Sequence, residues 1–264
     1  MKIIVLRAGD AAAPVAAERG EFDLWIREAV GDAFPGAWET IDVRGDGAPP
    51  APDAADGFVI TGSAHSVTER APWMLRVEAW IRDLEVAGAP LLGICFGHQL
   101  ITQALGGEVA RNPRGREIGT VTLDRLGDDP LLDALPPAFG VQTTHVDAAV
   151  RLPPRARLLG RTERDPNAIF AVGASMRAVQ FHPEIDADAM RRYVDARAAA
   201  VREDGLDPDA IRRAVRETEE NGRILKNFVT RFVLPYVAAR AKTSAADARE
   251  PRAAPGAESG AARS

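Results

Sequence analysis

Short apolar runs alternate along the first half of the chain with longer stretches whose apolar residues recur at helical spacing. The runs at Lys2 to Leu6 and Gly57 to Thr61 predict buried strands, and Thr40 to Val43 favours a further short strand. Between them, Phe22 to Val30 and Pro72 to Ala87 each have one apolar face and predict helices. This order is typical of a largely parallel sheet with helices on both faces, and such sheets carry their sites at the carboxyl ends of strands.

From Glu108 to Gln180 the pattern changes to short apolar stretches separated by proline, glycine and aspartate. Such stretches predict strands joined by turns. We interpret them as an antiparallel extension of the sheet. The predicted strands are Ile118 to Leu123, Phe139 to Thr143, Arg157 to Gly160, Ala168 to Val172 and Met176 to Gln180.

After Glu184 the chain becomes rich in alanine, arginine and aspartate and has helical spacing. Asp186 is placed to cap a helix that runs to Arg202. Asp207 with Pro208 begins another helix, and Arg223 to Val237 is amphipathic. We therefore expect several helices to follow the sheet.

The end of the chain, residues 238–264, contains few large apolar residues, which predicts a disordered tail. We divide the chain into a main domain at 1–185, a helical extension packed on it at 186–237, and this tail.

The only cysteine, Cys95, lies in the turn Gly93-Ile94-Cys95-Phe96-Gly97, between a buried apolar run and a helical pattern. Such a turn is typical of a nucleophile elbow, which presents its central side chain at the carboxyl end of a strand. The N-terminus of the next helix there favours thiolate over thiol. A lone cysteine is more often a small buried hydrophobe, but the flanking strand, turn and helix favour a catalytic nucleophile.

A cysteine nucleophile needs a base, which a third group usually orients. Of the four histidines, only His182 is followed two residues later by a carboxylate, in Gln180-Phe181-His182-Pro183-Glu184. A strand ending here would carry His182 to the sheet edge of Cys95, and the turn at Pro183 would return Glu184 to the ring. A histidine beside a proline is more often just a turn residue, so this interpretation depends on the pairing with Cys95.

The segments G-I-C-F-G-H-Q-L and Q-F-H-P-E together resemble the class I glutamine amidotransferases, over about Lys2 to Ile185. The chain resembles in particular the glutaminase portion of GMP synthase, through Gly57 to Ser63, Arg116 to Gly119 and Thr144 to Asp147. The resemblance implies an α/β fold with a flavodoxin-like, mostly parallel sheet flanked by helices. The antiparallel extension and the C-terminal helices would be added to that sheet.

The resemblance implies a role for each of the three candidate catalytic residues. Cys95 would attack the side-chain carboxamide of glutamine and form a γ-glutamyl thioester. His182 would protonate the departing ammonia and later activate the hydrolytic water, while Glu184 holds the tautomer of the ring. The chemistry would need no cofactor.

The resemblance also implies groups that bind the substrate and its oxyanion. The oxyanion hole would be formed by backbone N–H groups of Phe96 and of Gly62 or Ser63. Gln99, four residues past the nucleophile on the same helix face, would bind the polar end of the glutamyl group. For His145, beside Asp147, substrate binding, support of the base and a purely structural hydrogen bond stay open.

The chain departs from the family pattern at two places near these residues. Thr61-Gly62-Ser63 stands where the family has G-G-P, and Val146 replaces the glycine of the family's H-G-D segment. Valine cannot adopt the positive φ that is open to glycine. These differences concern substrate recognition and leave the triad untouched.

The composition excludes several classes of protein. A net charge of −5 and the lack of a basic tract argue against nucleic-acid binding. A single cysteine excludes an intrachain disulfide and fits a reducing compartment. No apolar run approaches the roughly 18 residues that cross a bilayer, and the N-terminal run is too short for a signal peptide. We expect a cytoplasmic protein without a membrane partner, and the lack of phosphate-loop, dinucleotide and metal-ligand motifs predicts no cofactor and no metal.

Three functions stay open. The first is a stand-alone enzyme that cleaves a γ-glutamyl amide, either glutamine or a γ-glutamyl compound. The second is a dedicated γ-glutamyl peptide hydrolase with the same triad and a larger leaving group. The third, a non-catalytic binding module, is disfavoured by the intact candidate triad.

The length of the chain bears on its partners. At 264 residues it has no room for the ATP-dependent half of GMP synthase, so ammonia would be released or passed to a separate synthetase. We expect no obligatory synthetase partner, with the helices after Ile185 shaping the leaving-group pocket, and a homo-oligomer stays open.

Overall fold

The computed structural model describes residues 1–247, which form a mixed α/β fold around one large sheet. The strands of this part of the chain are β1 (Lys2–Arg7), β2 (Ala37–Asp42), β3 (Gly57–Ile60), β4 (Leu91–Ile94), β5 (Glu108–Arg111), β6 (Glu117–Arg125), β7 (Ala138–His145), β8 (Asp147–Arg151), β9 (Ala156–Arg161), β10 (Ile169–Val172) and β11 (Met176–Val179). Its α-helices are α1 (Ala13–Arg19), α2 (Phe22–Val30), α3 (Pro72–Ala87), α4 (Phe96–Ala104), α5 (Ala187–Ala196), α6 (Ala198–Glu203), α7 (Pro208–Ala214), α8 (Asn221–Phe228) and α9 (Leu234–Asp247).

The large sheet has the strand order β2-β1-β3-β4-β11-β10-β9-β6-β7. The strands β2, β1, β3, β4 and β11 are parallel to one another. The strands β10, β9, β6 and β7 continue the sheet, and each is antiparallel to its neighbours. The mostly parallel sheet and its antiparallel extension are confirmed. Because β4 and β11 are parallel neighbours, the residues that follow them meet at one edge of the sheet.

Side chains of successive residues in β1 enter two separate cores. Ile3 and Val5 pack with Ile26 and Val30 of α2 on one face of the sheet. Ile4 and Leu6 lie on the other face, in a core that α3 and α4 cover. This period of two is expected for a strand that is buried on both faces.

Three short elements were not predicted from the sequence pattern. α1 precedes α2, and β5 pairs with β8 in a separate two-stranded antiparallel sheet. Both strands are short and carry few large apolar residues, so pairing between distant segments, rather than local pattern, defines them.

The helices after Glu184 pack closely on the sheet. Asp186 caps α5 by accepting the Ala189 N–H at 2.8 Å, and Asp207 caps α7. The single helix predicted to reach Arg202 is instead two, because the chain turns at Arg197 between α5 and α6. No glycine or proline signals this break.

The last helical region lies in the core that also contains β1. A π-helical turn at Val229–Val233 joins α8 to α9, and its valines are buried beside Ile3 and Val5. The segment after Ile185 shares this core with the sheet. The domain boundary at Ile185 therefore stays a proposal.

The predicted tail is wrong in its first part, because α9 continues to Asp247. Alanine is the best helix former, and alanine-rich sequence without large apolar residues was interpreted as disorder. Residues 248–264 of the predicted tail lie outside the described residues. Within residues 1–247, no helix combines the length and the apolar character required to span a bilayer.

Candidate active site

Cys95 stands between the end of β4 and the start of α4. Its backbone has φ 51° and ψ −98°, a region that costs a residue other than glycine roughly 1–3 kcal/mol. Hydrogen bonds hold the turn: the Cys95 N–H donates to the Val179 carbonyl at 2.8 Å, and its carbonyl accepts the Gln99 N–H at 3.1 Å. The sulfur is thus fixed at the positive end of a helix, where thiolate is favoured.

Two glycines allow the elbow to approach its neighbours closely. A Cβ atom on Gly97 would lie 2.6 Å from the carbonyl oxygen of Ile60 on β3. A Cβ atom on Gly93 would lie 2.6 Å from the backbone carbonyl carbon of Gly97. Glycine at both positions therefore lets α4 begin directly over the ends of β3 and β4.

His182 follows β11, so its imidazole comes to the sheet edge that carries Cys95. Its ring stacks on Phe22, with 5.7 Å between the ring centroids. Nδ1 of His182 lies 2.7 Å from Oε1 of Glu184, and the carboxylate accepts the Nδ1 proton. The structure thereby brings the predicted nucleophile, base and orienting group into one cluster.

Charge couples the thiol to the imidazole. Burial by itself would raise the pKa of Cys95, but the charge and hydrogen bond of His182, together with the charges of His145 and Arg197, outweigh burial and hold this pKa below its usual range. Burial would lower the pKa of His182, yet the charges of Glu184 and Cys95 raise it to about 10. The favoured state is a thiolate beside an imidazolium, which provides both a nucleophile and a proton donor.

A chain of side-chain amides reaches the sulfur from the other side. Nε2 of Gln180 donates to Sγ of Cys95 at 3.5 Å. Nε2 of Gln99 donates to Oε1 of Gln180 at 3.2 Å and to the carbonyl of Asp147 at 3.0 Å. Both N–H groups of Gln99 are therefore engaged within the protein, and its predicted contact with substrate stays a prediction.

A cavity of about 230 Å³ opens beside Cys95. The predicted residues Ser63, Gln99 and His145 line it, together with Asp147 and Arg197. A larger cavity of about 510 Å³ lies behind Glu184 and is lined by neither Cys95 nor His182. The smaller cavity is the one that can hold a substrate against the sulfur.

The predicted oxyanion residues surround the reacting atoms. Phe96 is the first residue of α4, and the first N–H groups of a helix have no partner within the helix. Gly62 follows β3 and lies against His182 and Cys95. Whether these N–H groups bind an oxyanion stays a prediction.

His145 is held as a cation in the wall of the cavity. Its Nδ1 donates to the Asp147 carbonyl at 2.9 Å, and its Nε2 donates to Oε2 of Glu117 at 3.2 Å. Burial would lower the pKa of His145, but its bond to Glu117 and nearby negative charge raise it to about 9. With both ring nitrogens engaged, His145 can act on substrate through its charge.

The remaining histidines have other surroundings. His98 is fully buried, its Nε2 lies 2.9 Å from the Asn167 carbonyl, and burial lowers its pKa to about 3. His65 is exposed at the rim of the cavity, with Nδ1 3.0 Å from Oε2 of Glu69. Neither ring lies between Cys95 and Glu184.

A Gly62→Ala substitution is expected to lower kcat/KM by about a hundredfold. The new Cβ would lie 2.7 Å from Cε1 of His182, and a displacement of about 1 Å at a catalytic group has that effect. Gly45→Ala is the matched control, because no atom lies within 4 Å of the Cβ position at Gly45. Steady-state kinetics with thermal unfolding would test this, and unchanged activity in Gly62→Ala would contradict the placement of the base.

Sequence reasoning missed three side chains at this site. Gln180 stands two residues before His182 in the segment Gln180 to Glu184, so both side chains lie on the same face of an extended chain. This spacing was a signal that the sequence offered. Asp147 stands two residues after His145 in the segment Thr144 to Asp147, and it could be recognised from the sequence as readily as His145. Arg197 had no signal, because it lies in a run whose spacing predicts continuous helix.

The fold and the elbow at Cys95 define the class of this protein. Residues 44–197 match the family model for glutamine amidotransferase class-I, and the chain belongs to that family.

Known relatives agree with this assignment. The glutamine-hydrolysing GMP synthase of Aeropyrum pernix is 36% identical over 146 residues, 55% of this chain and 27% of that protein. Gamma-glutamyl peptidase 4 of Arabidopsis thaliana is 31% identical over 145 residues, 53% of this chain and 58% of that protein. By their names, both relatives are enzymes that act on amide bonds. The chain thus matches about a quarter of the length of the first relative and just over half of the second.

A solved glutamine amidotransferase from Thermotoga maritima has the same fold. The two structures align with a TM-score of 0.69 at 22% identity, over 88% of this chain and 98% of the other.

Proposed function

We propose that this chain hydrolyses a γ-glutamyl amide through a thioester on Cys95. The observation that carries the proposal is the cluster of Cys95, His182 and Glu184 at the edge of a small cavity. Membership of the glutamine amidotransferase family supports it.

In the first half-reaction, Sγ of Cys95 attacks the carbonyl carbon of the γ-amide. Negative charge develops on the carbonyl oxygen, where the N–H groups of Phe96 and of Gly62 or Ser63 stabilise it. Each donor of this kind contributes about 2.7–4 kcal/mol elsewhere. His182 then gives its Nε2 proton to the nitrogen as the C–N bond breaks, which releases ammonia or an amine and leaves the thioester.

In the second half-reaction, neutral His182 removes a proton from water while the water oxygen attacks the thioester carbon. The C–S bond breaks, the glutamyl group leaves as a carboxylic acid, and the thiolate and imidazolium are restored. Glu184 stabilises the imidazolium in both steps through its bond to Nδ1.

The volume of the cavity bears on the substrate. At about 230 Å³ it is smaller than the roughly 300–1,000 Å³ of sites for drug-sized ligands. A glutamyl group would lie inside, with the leaving group at the mouth. Glutamine and γ-glutamyl peptides share this group, and the relationship to gamma-glutamyl peptidase 4 favours peptide hydrolysis as the second candidate.

The comparison with known relatives also bears on a partner that would accept ammonia. The GMP synthase relative favours a separate synthetase as an acceptor of ammonia. We propose that such a partner is not obligatory and that the helices after Ile185 shape the leaving-group side of the site. Arg197, where the chain turns between α5 and α6, lines the cavity, so this part of the chain reaches the site.

Substrate profiling of the purified chain tests the proposal. Glutamine and several γ-glutamyl dipeptides would be supplied separately, with ammonia and free amino acid both measured. We expect turnover of at least one class, lost in Cys95→Ala. Turnover of glutamine only after a synthetase is added would replace independent hydrolysis by a partnered activity, and no hydrolysis in either setting would contradict the proposed function.

A further inference from the structure

Arg197 brings a positive charge to the cavity beside Cys95. It stands where the chain turns between α5 and α6, and its side chain lines the cavity. Its guanidinium carbon lies 5.6 Å from the centroid of the Tyr193 ring. That ring is only 1% exposed, and its hydroxyl accepts the Ala12 N–H at 3.1 Å. A fixed aromatic face thus holds the guanidinium toward the cavity.

Within residues 1–247, no carboxylate pairs with the guanidinium of Arg197. Its neighbour Arg116 differs, because Nε of Arg116 donates to Oδ2 of Asp204 at 2.6 Å. Burial lowers the pKa of Arg197, and the charges of Tyr193 and Cys95 oppose this shift only in part. A partly buried cation with unused N–H groups is suited to bind an anion that enters the cavity.

The other charges of the cavity indicate which anion fits. Asp147 lines the same cavity, and its Oδ2 accepts the Ser66 hydroxyl at 2.5 Å. Its carboxylate remains available to an ammonium group, since a carboxylate has about four acceptor positions. His145 is cationic but has both ring N–H groups engaged. The cavity therefore offers free N–H donors at Arg197 and an acid at Asp147, a pair that matches the carboxylate and ammonium of an amino acid.

We propose that Arg197 binds the α-carboxylate of the γ-glutamyl group and makes the enzyme selective for substrates with a free amino-acid end. The inference rests on the proposed function, because it assumes that the glutamyl group occupies the cavity at Cys95. Arg197 would contact the end of the substrate that does not react, so its main effect would be on binding. Its charge also helps to lower the pKa of Cys95, which adds a smaller effect on bond cleavage.

The test compares two ligands that differ only in this carboxylate, L-glutamine and 4-aminobutanamide. Binding to Cys95→Ala proteins, which hold ligand without turnover, would be measured by calorimetry. Introducing Arg197→Gln into the Cys95→Ala protein should weaken glutamine binding roughly ten- to a hundredfold, the range for a hydrogen bond to a charged group. Binding of 4-aminobutanamide should stay unchanged. Arg197→Lys should restore part of the glutamine affinity, because it restores the charge without the planar fork.

Arg192→Gln is the matched control, because it removes the same charge from α5 at a residue paired with Asp188 at the surface. It should leave both affinities unchanged. In the enzyme with Cys95 intact, Arg197→Gln should raise KM for glutamine by a larger factor than it lowers kcat, because the charge of Arg197 also helps to lower the pKa of Cys95.

Three results would overturn the inference. One is an equal loss of both ligands, and another is unchanged glutamine binding in a folded Arg197→Gln protein. The third is weaker binding of γ-glutamylglycine with unchanged binding of γ-glutamyl methylamide, which has no carboxylate in its leaving group. That result would place Arg197 at the leaving-group carboxylate. Selective loss of glutamine binding in a chain that hydrolyses no amide would uphold the inference while contradicting the proposed function.

Discussion

A Cys95→Ala protein is expected to keep its fold and lose amide hydrolysis by on the order of 10⁶-fold, the loss found when a serine nucleophile is removed from a triad. The sulfur supplies the bond that forms to the substrate, and the chain has no second cysteine to replace it. Release of ammonia and of free amino acid would measure the loss. Thermal unfolding would show that the fold remains.

Covalent labelling gives an independent measurement of the same residue. A glutamine-like chloroketone should modify the wild-type chain at Cys95 and leave Cys95→Ala unmodified. Peptide mapping would locate the label. A label on another residue, or activity that survives in the alanine protein, would contradict the assignment of the nucleophile.

Loss of the base should be nearly as severe as loss of the nucleophile. His182→Ala is expected to be almost inactive, whereas Glu184→Gln should retain about two orders of magnitude more activity, as in other triads. A neutral amide can still orient the ring, but it stabilises an imidazolium less than a carboxylate does. Single-turnover acylation rates would separate the two variants, with Glu18→Gln as an exposed control for the same substitution.

The pH dependence of Cys95 alkylation should move with the base. In the wild type, the lowered pKa of Cys95 keeps thiolate present below the ordinary thiol range near pH 8.5. Without the charge and hydrogen bond of His182, the pKa of Cys95 should rise, so alkylation by iodoacetamide should require higher pH. Equal acylation rates and equal alkylation profiles for wild type and His182→Ala would exclude His182 as the base.

Local pattern was sufficient for the elements with strong periodicity. The bounds of α2 and α3 agree with the predicted helices, since each has a continuous apolar face and a glycine directly after its last residue. The weak elements were missed: β5 and β8 are defined by their pairing with each other, although β6 and β7 lie between them in the chain. Residues 238–247 of α9 contradict the predicted disordered tail, because alanine-rich sequence supports a helix without supplying large apolar residues.

At the site, the candidate triad was visible in the sequence because each motif places its side chain by a local rule. A glycine-flanked turn presents Cys95, and a strand end followed by proline presents His182 with Glu184 two residues on. That the two motifs meet depended on strand order, which periodicity does not encode. The parallel pairing of β4 with β11 brings them to one edge.

The sequence by itself determined the fold class, the candidate triad and the family resemblance, since these follow from short-range patterns of apolar residues, glycines and reactive side chains. Only the tertiary structure decided which distant groups surround the sulfur. Gln180 donates a hydrogen bond to Sγ of Cys95, and Glu117 stabilises His145 as a cation. Arg197 lines the cavity at a break between α5 and α6 that the sequence does not indicate. The physical reason is that charge, burial and hydrogen bonding at a site depend on contacts between segments that lie far apart along the chain.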